Sequence, residues 1–185
     1  SPIPHRWLDK TCRELTRDEI HKIIESFGKG AFNAKRAGFD GVEIHAVHEG
    51  YLIDQFAIAF FNHRTDEYGG SLENRLRFAK EIREEIAKTC GWDFPVAVRF
   101  SPKSMLKDWR KGALPNEEFE EKGRDLEEGL QTAKLLEAYG YDALDVDVGC
   151  YDAWWWNHPP MYMEKGPYRK YAKLVKETVK VPVFM

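Results

Sequence analysis

Cysteine is scarce in this sequence. Cys12, Cys90 and Cys150 are odd in number and far apart, which argues against a disulfide framework and against a metal knuckle. All three are read as free thiols. No apolar run approaches the ~20 residues needed to cross a bilayer. Neither sign of charge dominates either, since 28 Lys and Arg face 31 Asp and Glu for a net charge of −3. That balance gives no electrostatic footprint for nucleic acid, and with no membrane span a cytoplasmic setting is expected. Low-complexity stretches and flexible linkers are missing too. With 43% hydrophobic and 32% charged residues over 185 positions, the composition is that of a soluble globular chain.

What is present is a regular alternation of helix and strand patterns. After an irregular lead from Ser1 to Glu14, Thr16-Arg17-Asp18-Glu19 is a capping box, and Ile20, Ile23, Ile24, Phe27, Ala31 and Ala34 recur behind it at helical spacing. Gly41 to His45 reads as a short strand. A long excursion follows to Gly70, and Ser71 caps a second helix with Leu72, Leu76, Ala79, Ile82 and Ile86 on one stripe. Pro95 to Phe100 is the next strand, and Ser101 to Arg124 is a charged insertion judged too polar to be core. A helix over Leu126 to Ala138 leads to a strand over Ala143 to Val148, and an aromatic loop to Gly166 leads to a helix over Tyr168 to Val179. Val181 to Met185 is the last strand. The order α-β-α-β-α-β-α-β predicts parallel βαβ units, and no linker divides them. A closed (β/α)8 barrel takes about 250 residues, so four strands are expected to be part of one.

Strand alternation then sorts the side chains. Val42, Ile44, Val98, Phe100, Val146 and Val148 should face the helices, with Glu43, His45, Ala97, Arg99, Asp145 and Asp147 facing the barrel interior. Buried charges are costly unless paired, so Arg99 should offset Glu43, Asp145 or Asp147, or meet a ligand's anionic group. His45, His48 and Tyr51 crowd the carboxyl end of the first strand, the edge where parallel α/β architectures place catalytic groups. Trp154, Trp155 and Trp156 are consecutive, so they cannot all point one way; they either wall a flat apolar ligand or pack on the neighbouring helix. The spacing of His45, His48, His63 and His158 matches no common zinc motif, and no metal is expected.

Val42-Glu43-Ile44-His45 with His48, Gly50-Tyr51-Leu52 and Asp54-Gln55-Phe56, then Asn62-His63-Arg64-Thr65-Asp66-Glu67-Tyr68-Gly69-Gly70-Ser71-Leu72-Glu73-Asn74-Arg75, resembles the Old Yellow Enzyme family of flavin-dependent ene-reductases. The loop Gly149-Cys150-Tyr151-Asp152 with Asn157-His158-Pro159-Pro160-Met161-Tyr162 is similar to its branch of clostridial 2-enoate reductases and bile-acid-inducible flavin oxidoreductases. The resemblance implies FMN and a TIM barrel of which residues 1–185 carry about the fourth to seventh strands, incomplete at both ends. It also implies reduction of an activated C=C bond of an enoate or enone, such as a 2-enoate or a bile-acid or steroid 3-oxo-4-ene, with NAD(P)H as the electron source.

Residue by residue, the resemblance implies that Arg99 approaches the pyrimidine side of FMN, where its charge stabilises the reduced flavin. His45 and His48 match the pair that polarises the substrate's oxygen. Tyr51 matches the general acid that protonates the α-carbon; an ordinary phenol, with a pKa near ~10, is protonated at neutral pH. Most members have one residue fewer before the tyrosine, so counting from His45 favours His48 as second donor and counting back from Tyr51 favours Glu49. Trp154 and Trp155 are the candidate substrate walls. Full-length relatives are implied to carry FAD and a 4Fe-4S cluster, neither encoded in this segment. The phosphate of FMN is implied to be gripped beyond Met185, so the isolated chain is expected not to hold FMN tightly. The rival is a non-catalytic half-barrel that folds or oligomerises without turnover.

Overall fold

A computed structural model describes residues 1–5, 8–48 and 51–185. The lead is less irregular than expected, because β1 (Ile3–Pro4) and β2 (Thr11–Cys12) form a small antiparallel ladder. The capping box then starts α1 (Arg17–Arg36): Glu19 N donates to Thr16 Oγ1 at 3.2 Å, and Thr16 N donates to Glu19 Oε2 at 2.8 Å. Two otherwise orphan amide donors are satisfied reciprocally. The helix runs into Gly38, whose φ of 90° reverses the chain toward β3 (Val42–Val47).

After β3 come α2 (Leu52–Ala57), α3 (Leu72–Arg75) and α4 (Arg77–Cys90). The single helix expected after Ser71 is thus interrupted at Leu76. Just before the break the buried Arg75 turns inward, its guanidinium on the Ala57 carbonyl and on Glu128, with Nη2 donating to Oε2 at 2.6 Å. β4 (Val96–Phe100) follows, then β5 (Leu106–Asp108) and β6 (Lys111–Gly112), α5 (Leu126–Ala138) and β7 (Ala143–Val146). A 3-10 turn (Tyr151–Ala153), α6 (Trp154–Asn157), α7 (Arg169–Thr178) and β8 (Val183–Phe184) complete the described elements.

The main sheet has the order β3-β4-β7-β8, parallel throughout. It is a segment of a β/α barrel. One face is apolar: Ile44, Val96, Val98, Phe100, Leu144 and Val146 are buried against Ile20, Ile24 and Ala31 of α1, Phe78, Ala79, Ile82 and Ile86 of α4, Leu136 of α5 and Val175 of α7. The register sets the other face in lateral rows. Glu43, Ala97 and Ala143 align in one row, and His45, Arg99 and Asp145 in the next toward the carboxyl ends. The inward set inferred from alternation is therefore recovered. Among the described residues neither β3 nor β8 has a second neighbour in the sheet.

The charged stretch from Ser101 to Arg124 was expected to lie outside the core, and this is corrected. Met105, Leu106 and Ala113 are buried, and Met105 and Leu106 join a second cluster with Ile58, Phe61, Val148, Cys150, Ala153, Trp156 and Tyr171. The charges fold inward as backbone partners. Glu121 accepts from Met105 N, Leu106 N and Gly123 N at 2.8–2.9 Å. Burial still pushes its pKa up to about 6.

Candidate active site at the carboxyl ends of three strands

Three strands deliver the ionisable groups to one edge. A register shift between His45 and Val47 bulges β3 at its end. The bulge breaks the two-residue alternation and re-aims the chain, so that His48 enters the protein and is 0% exposed. Its ring reaches two partners, with Nε2 on the Asp147 carboxylate and Nδ1 on His45 Nε2. His48 is thus a buried residue and not a solvent-exposed loop histidine.

Asp147, just past β7 and 4% exposed, gathers this edge. Its carboxylate lies against His48 Nε2 and accepts from Ser101 Oγ and from Arg99 through Nε at 3.2 Å and Nη2 at 3.1 Å. Asp145 stands farther off, 4.0 Å from Arg99 Nε. Arg99 is thus partly neutralised by Asp147, while the other inward carboxylates crowd one another. Burial raises the pKa of Glu43, and Asp145 adds to the rise. Burial also raises Asp145, with Arg99 opposing and Asp147 reinforcing.

The histidine pair has a defined proton logic. Neutral His48 that donates Nε2–H to Asp147 has a bare Nδ1, so His45 must donate to it and keeps a bare Nδ1 of its own. A proton added to His48 reverses that bond. It then leaves a His45 N–H for a ligand oxygen. Loss of hydration, with His48 and Arg99 nearby, pushes the pKa of His45 down to about 4. Between pH ~4 and ~6.5 the unfolded chain then binds more protons at this position than the folded one, so His45 makes stability rise with pH across that window. Titration of the His45 ring by NMR should give a midpoint near pH 4; a midpoint at or above 6.5 would contradict the packing described.

Tyr51 precedes α2 and caps it through its carbonyl, which accepts from Gln55 N at 2.8 Å. Its ring stands edge-on to His45, with centroids 4.8 Å apart. Its hydroxyl meets the Tyr151 hydroxyl at 2.6 Å. Beneath it, α2 is fixed by a buried ion pair in which Arg124 Nη2 donates to Asp54 Oδ1 at 2.6 Å and Nη1 donates to the Ser101 carbonyl at 2.8 Å. His45, Tyr51 and Arg99 thus flank one open face, with His48 buried behind His45.

A profile of the NADH:flavin oxidoreductase / NADH oxidase family matches residues 5–185. The chain belongs to this family. It is 65% identical to cinnamate reductase of Clostridium sporogenes over 184 residues, which is 99% of this chain and 28% of that protein. It is 42% identical to NADH oxidase of Thermoanaerobacter brockii, covering 99% of this chain and 26% of that one. The chain therefore spans about a quarter of the length of these relatives. Among solved structures, a 2-naphthoyl-CoA reductase superposes with a TM-score of 0.81 at 29% identity, over 99% of this chain and 26% of its own. An old yellow enzyme homologue from Zymomonas mobilis does so with a TM-score of 0.66 at 31% identity, over 95% and 43%.

In this member of the NADH:flavin oxidoreductase family, the candidate residues fall into two groups. His45, His48, Tyr51 and Arg99 come together. Glu49 lies outside the described residues, so the choice between His48 and Glu49 as second donor stays open, with the His48 ring buried beside His45. Of the tryptophans, Trp154 is 44% exposed and stacks on Tyr151, with centroids 5.2 Å apart and planes at 22°. Trp155 instead packs on the second cluster and donates its indole N–H to the Ala113 carbonyl at 2.8 Å, as Trp156 does. Its contacts are those of a loop anchor rather than of a substrate wall.

Asp147 was read from the sequence as a possible partner of Arg99, which it is, but not as a partner of His48. Tyr151 had no assigned role. Tyr151 follows the end of β7 by five residues, much as Tyr51 follows the end of β3 by four.

Proposed function

We propose that this chain is part of the catalytic barrel of a flavin-dependent ene-reductase acting on a 2-enoate, with Tyr51 as proton donor and His45, seated on the buried His48, as the group that holds the substrate's oxygen. The observation that carries the reading is the junction of Tyr51 with the His45–His48–Asp147 chain on one open face beside Arg99. The donor set fits FMN: a guanidinium at the carboxyl end of β4, 35% exposed on the interior face, suits the pyrimidine edge of a flavin whose reduced form is anionic. FMN, when bound, supplies the hydride that adds to the substrate's β-carbon. The chain's own part is to hold the carbonyl or carboxylate oxygen with an imidazole N–H, stabilising enolate charge as it develops, and to give a proton to the α-carbon.

Identity to a relative named cinnamate reductase supports an aryl 2-enoate over the bile-acid or steroid enones also considered. Trp154, 44% exposed, leaves indole surface at the rim that suits a flat ring. NAD(P)H is the ultimate donor in this reading, and the FAD and iron–sulfur cluster implied for longer relatives are assigned to no residue here. The open edges of β3 and β8 are closed by the remaining strands of the barrel, in the same polypeptide or in an associated one.

The complete protein should bind FMN, and its anaerobically reduced flavin should be reoxidised by cinnamate with one saturated acid formed per flavin. A protein without flavin, or a reduced flavin that enoates and enones leave untouched, contradicts this reading and favours the non-catalytic half-barrel. Within the same experiment, Arg99→Ala is expected to weaken FMN binding and lower the flavin potential. Unchanged affinity and potential would leave Arg99 as an ion-pair partner of Asp147.

A further inference from the structure

We propose that Tyr151 is a positioning and relay residue for the proton carried by Tyr51. The inference rests on the reading of Tyr51 as the acid and adds a second phenol to it. Tyr151 is far away in sequence, yet its hydroxyl lies 2.6 Å from that of Tyr51 and the two rings meet edge to face at 4.9 Å. This approach is held from behind. Gly149 N donates to the Lys103 carbonyl at 2.8 Å, the indoles of Trp155 and Trp156 donate to the Ala113 carbonyl, and Tyr168 Oη donates to the Asn157 carbonyl at 3.0 Å. Gly149 itself has a φ of 104°, and a Cβ there would come within 2.7 Å of Trp156 Cβ, so the turn that launches Tyr151 requires glycine. Trp154 then stacks on the Tyr151 ring, and His158 closes on Trp154 at 4.1 Å between centroids.

A phenol has one proton to give. When Tyr151 donates to the Tyr51 oxygen, the Tyr51 proton is turned away from Tyr151 and toward the open face where the substrate's α-carbon would lie. At the enolate, the Tyr51 O–H bond breaks and the enolate's electron pair takes the proton to form the α-carbon C–H bond. Tyr51 is left as a phenolate, which the Tyr151 hydroxyl already faces. The Tyr151 proton passes to the Tyr51 oxygen, and a water at the exposed rim, where Tyr51 is 36% and Trp154 is 44% exposed, reprotonates Tyr151. The net demand is one solvent proton per turnover. A hydrogen bond that strengthens as charge forms on the Tyr51 oxygen makes Tyr51 the better acid.

The test uses the complete FMN-loaded enzyme with Tyr151→Phe, which keeps the ring on Trp154. Reoxidation by cinnamate should slow by about 10-fold or more, and its alkaline limb should move up by about one to two pH units. With carbon-13 on the tyrosine phenol carbons, the Tyr51 signal should show the same upward shift in the oxidised enzyme without substrate, a readout that loose packing alone would not move. Flavin reduction by NAD(P)H should stay parental. If Tyr151→Phe disturbs the loop, a fluorinated, more acidic tyrosine at position 151 keeps the contact and should move the Tyr51 midpoint down. A Tyr51 midpoint and alkaline limb at parental values in these proteins overturn the proposal. Tyr51→Phe separates the two layers: parental reoxidation there defeats the acid assignment and this proposal together. A slow Tyr51→Phe beside a parental Tyr151→Phe defeats the relay alone.

Discussion

Arg124→Met is expected to lower the unfolding free energy by about 3–5 kcal/mol, the loss typical of breaking a buried ion pair from one side. Arg124 is 0% exposed and Asp54 is 1% exposed, so removing the guanidinium takes the Arg124 counter-charge from a carboxylate shielded from water. It also removes the donor that holds the Ser101 carbonyl. Replacing both members, as in Asp54→Leu with Arg124→Met, removes the carboxylate as well and should recover most of the loss. Thermal unfolding of the single and double variants beside the parent measures this, with a fall of roughly 10 °C expected for Arg124→Met alone. A single-variant loss below about 1 kcal/mol would mean that the pair is exposed to water. The consequence reaches the site, since Asp54 lies on the helix that begins directly after Tyr51 and Arg124 ties that helix to the end of β4.

The strands and helices were legible because their signals are local. The capping box at Thr16, the apolar stripe of α1 and the glycines that end helices all act within one or two turns, and the structure starts and stops its elements there. The helix over Leu126–Ala138 was read to its observed ends. What alternation could not reveal was the bulge after His45, because one extra backbone residue inverts the facing of everything beyond it. His48 was therefore named without its burial or its bond to Asp147. The stretch from Ser101 to Arg124 was misjudged for a different reason. Its charge suggested solvent, but Glu121 and Arg124 spend theirs on backbone groups many residues away, and polarity counted along the chain does not register such partners. Tyr151 was illegible as a partner of Tyr51 because the contact joins two loops that only the sheet order brings together.

The central claim is that Tyr51 supplies a proton to the α-carbon of an enoate held by His45. Tyr51→Phe in the complete enzyme removes only the hydroxyl, and the ring remains edge-on to His45. General acid catalysis contributes ~10²–10⁴ in rate, so a loss of that size should fall on one half-reaction and not on the other. Stopped-flow spectroscopy resolves the two through the flavin's own absorbance. The account predicts that Tyr51→Phe is reduced by NAD(P)H at the parental rate and reoxidised by cinnamate ~10²–10⁴-fold more slowly. Reoxidation of Tyr51→Phe at the parental rate would mean that another group delivers the proton, and would contradict the account.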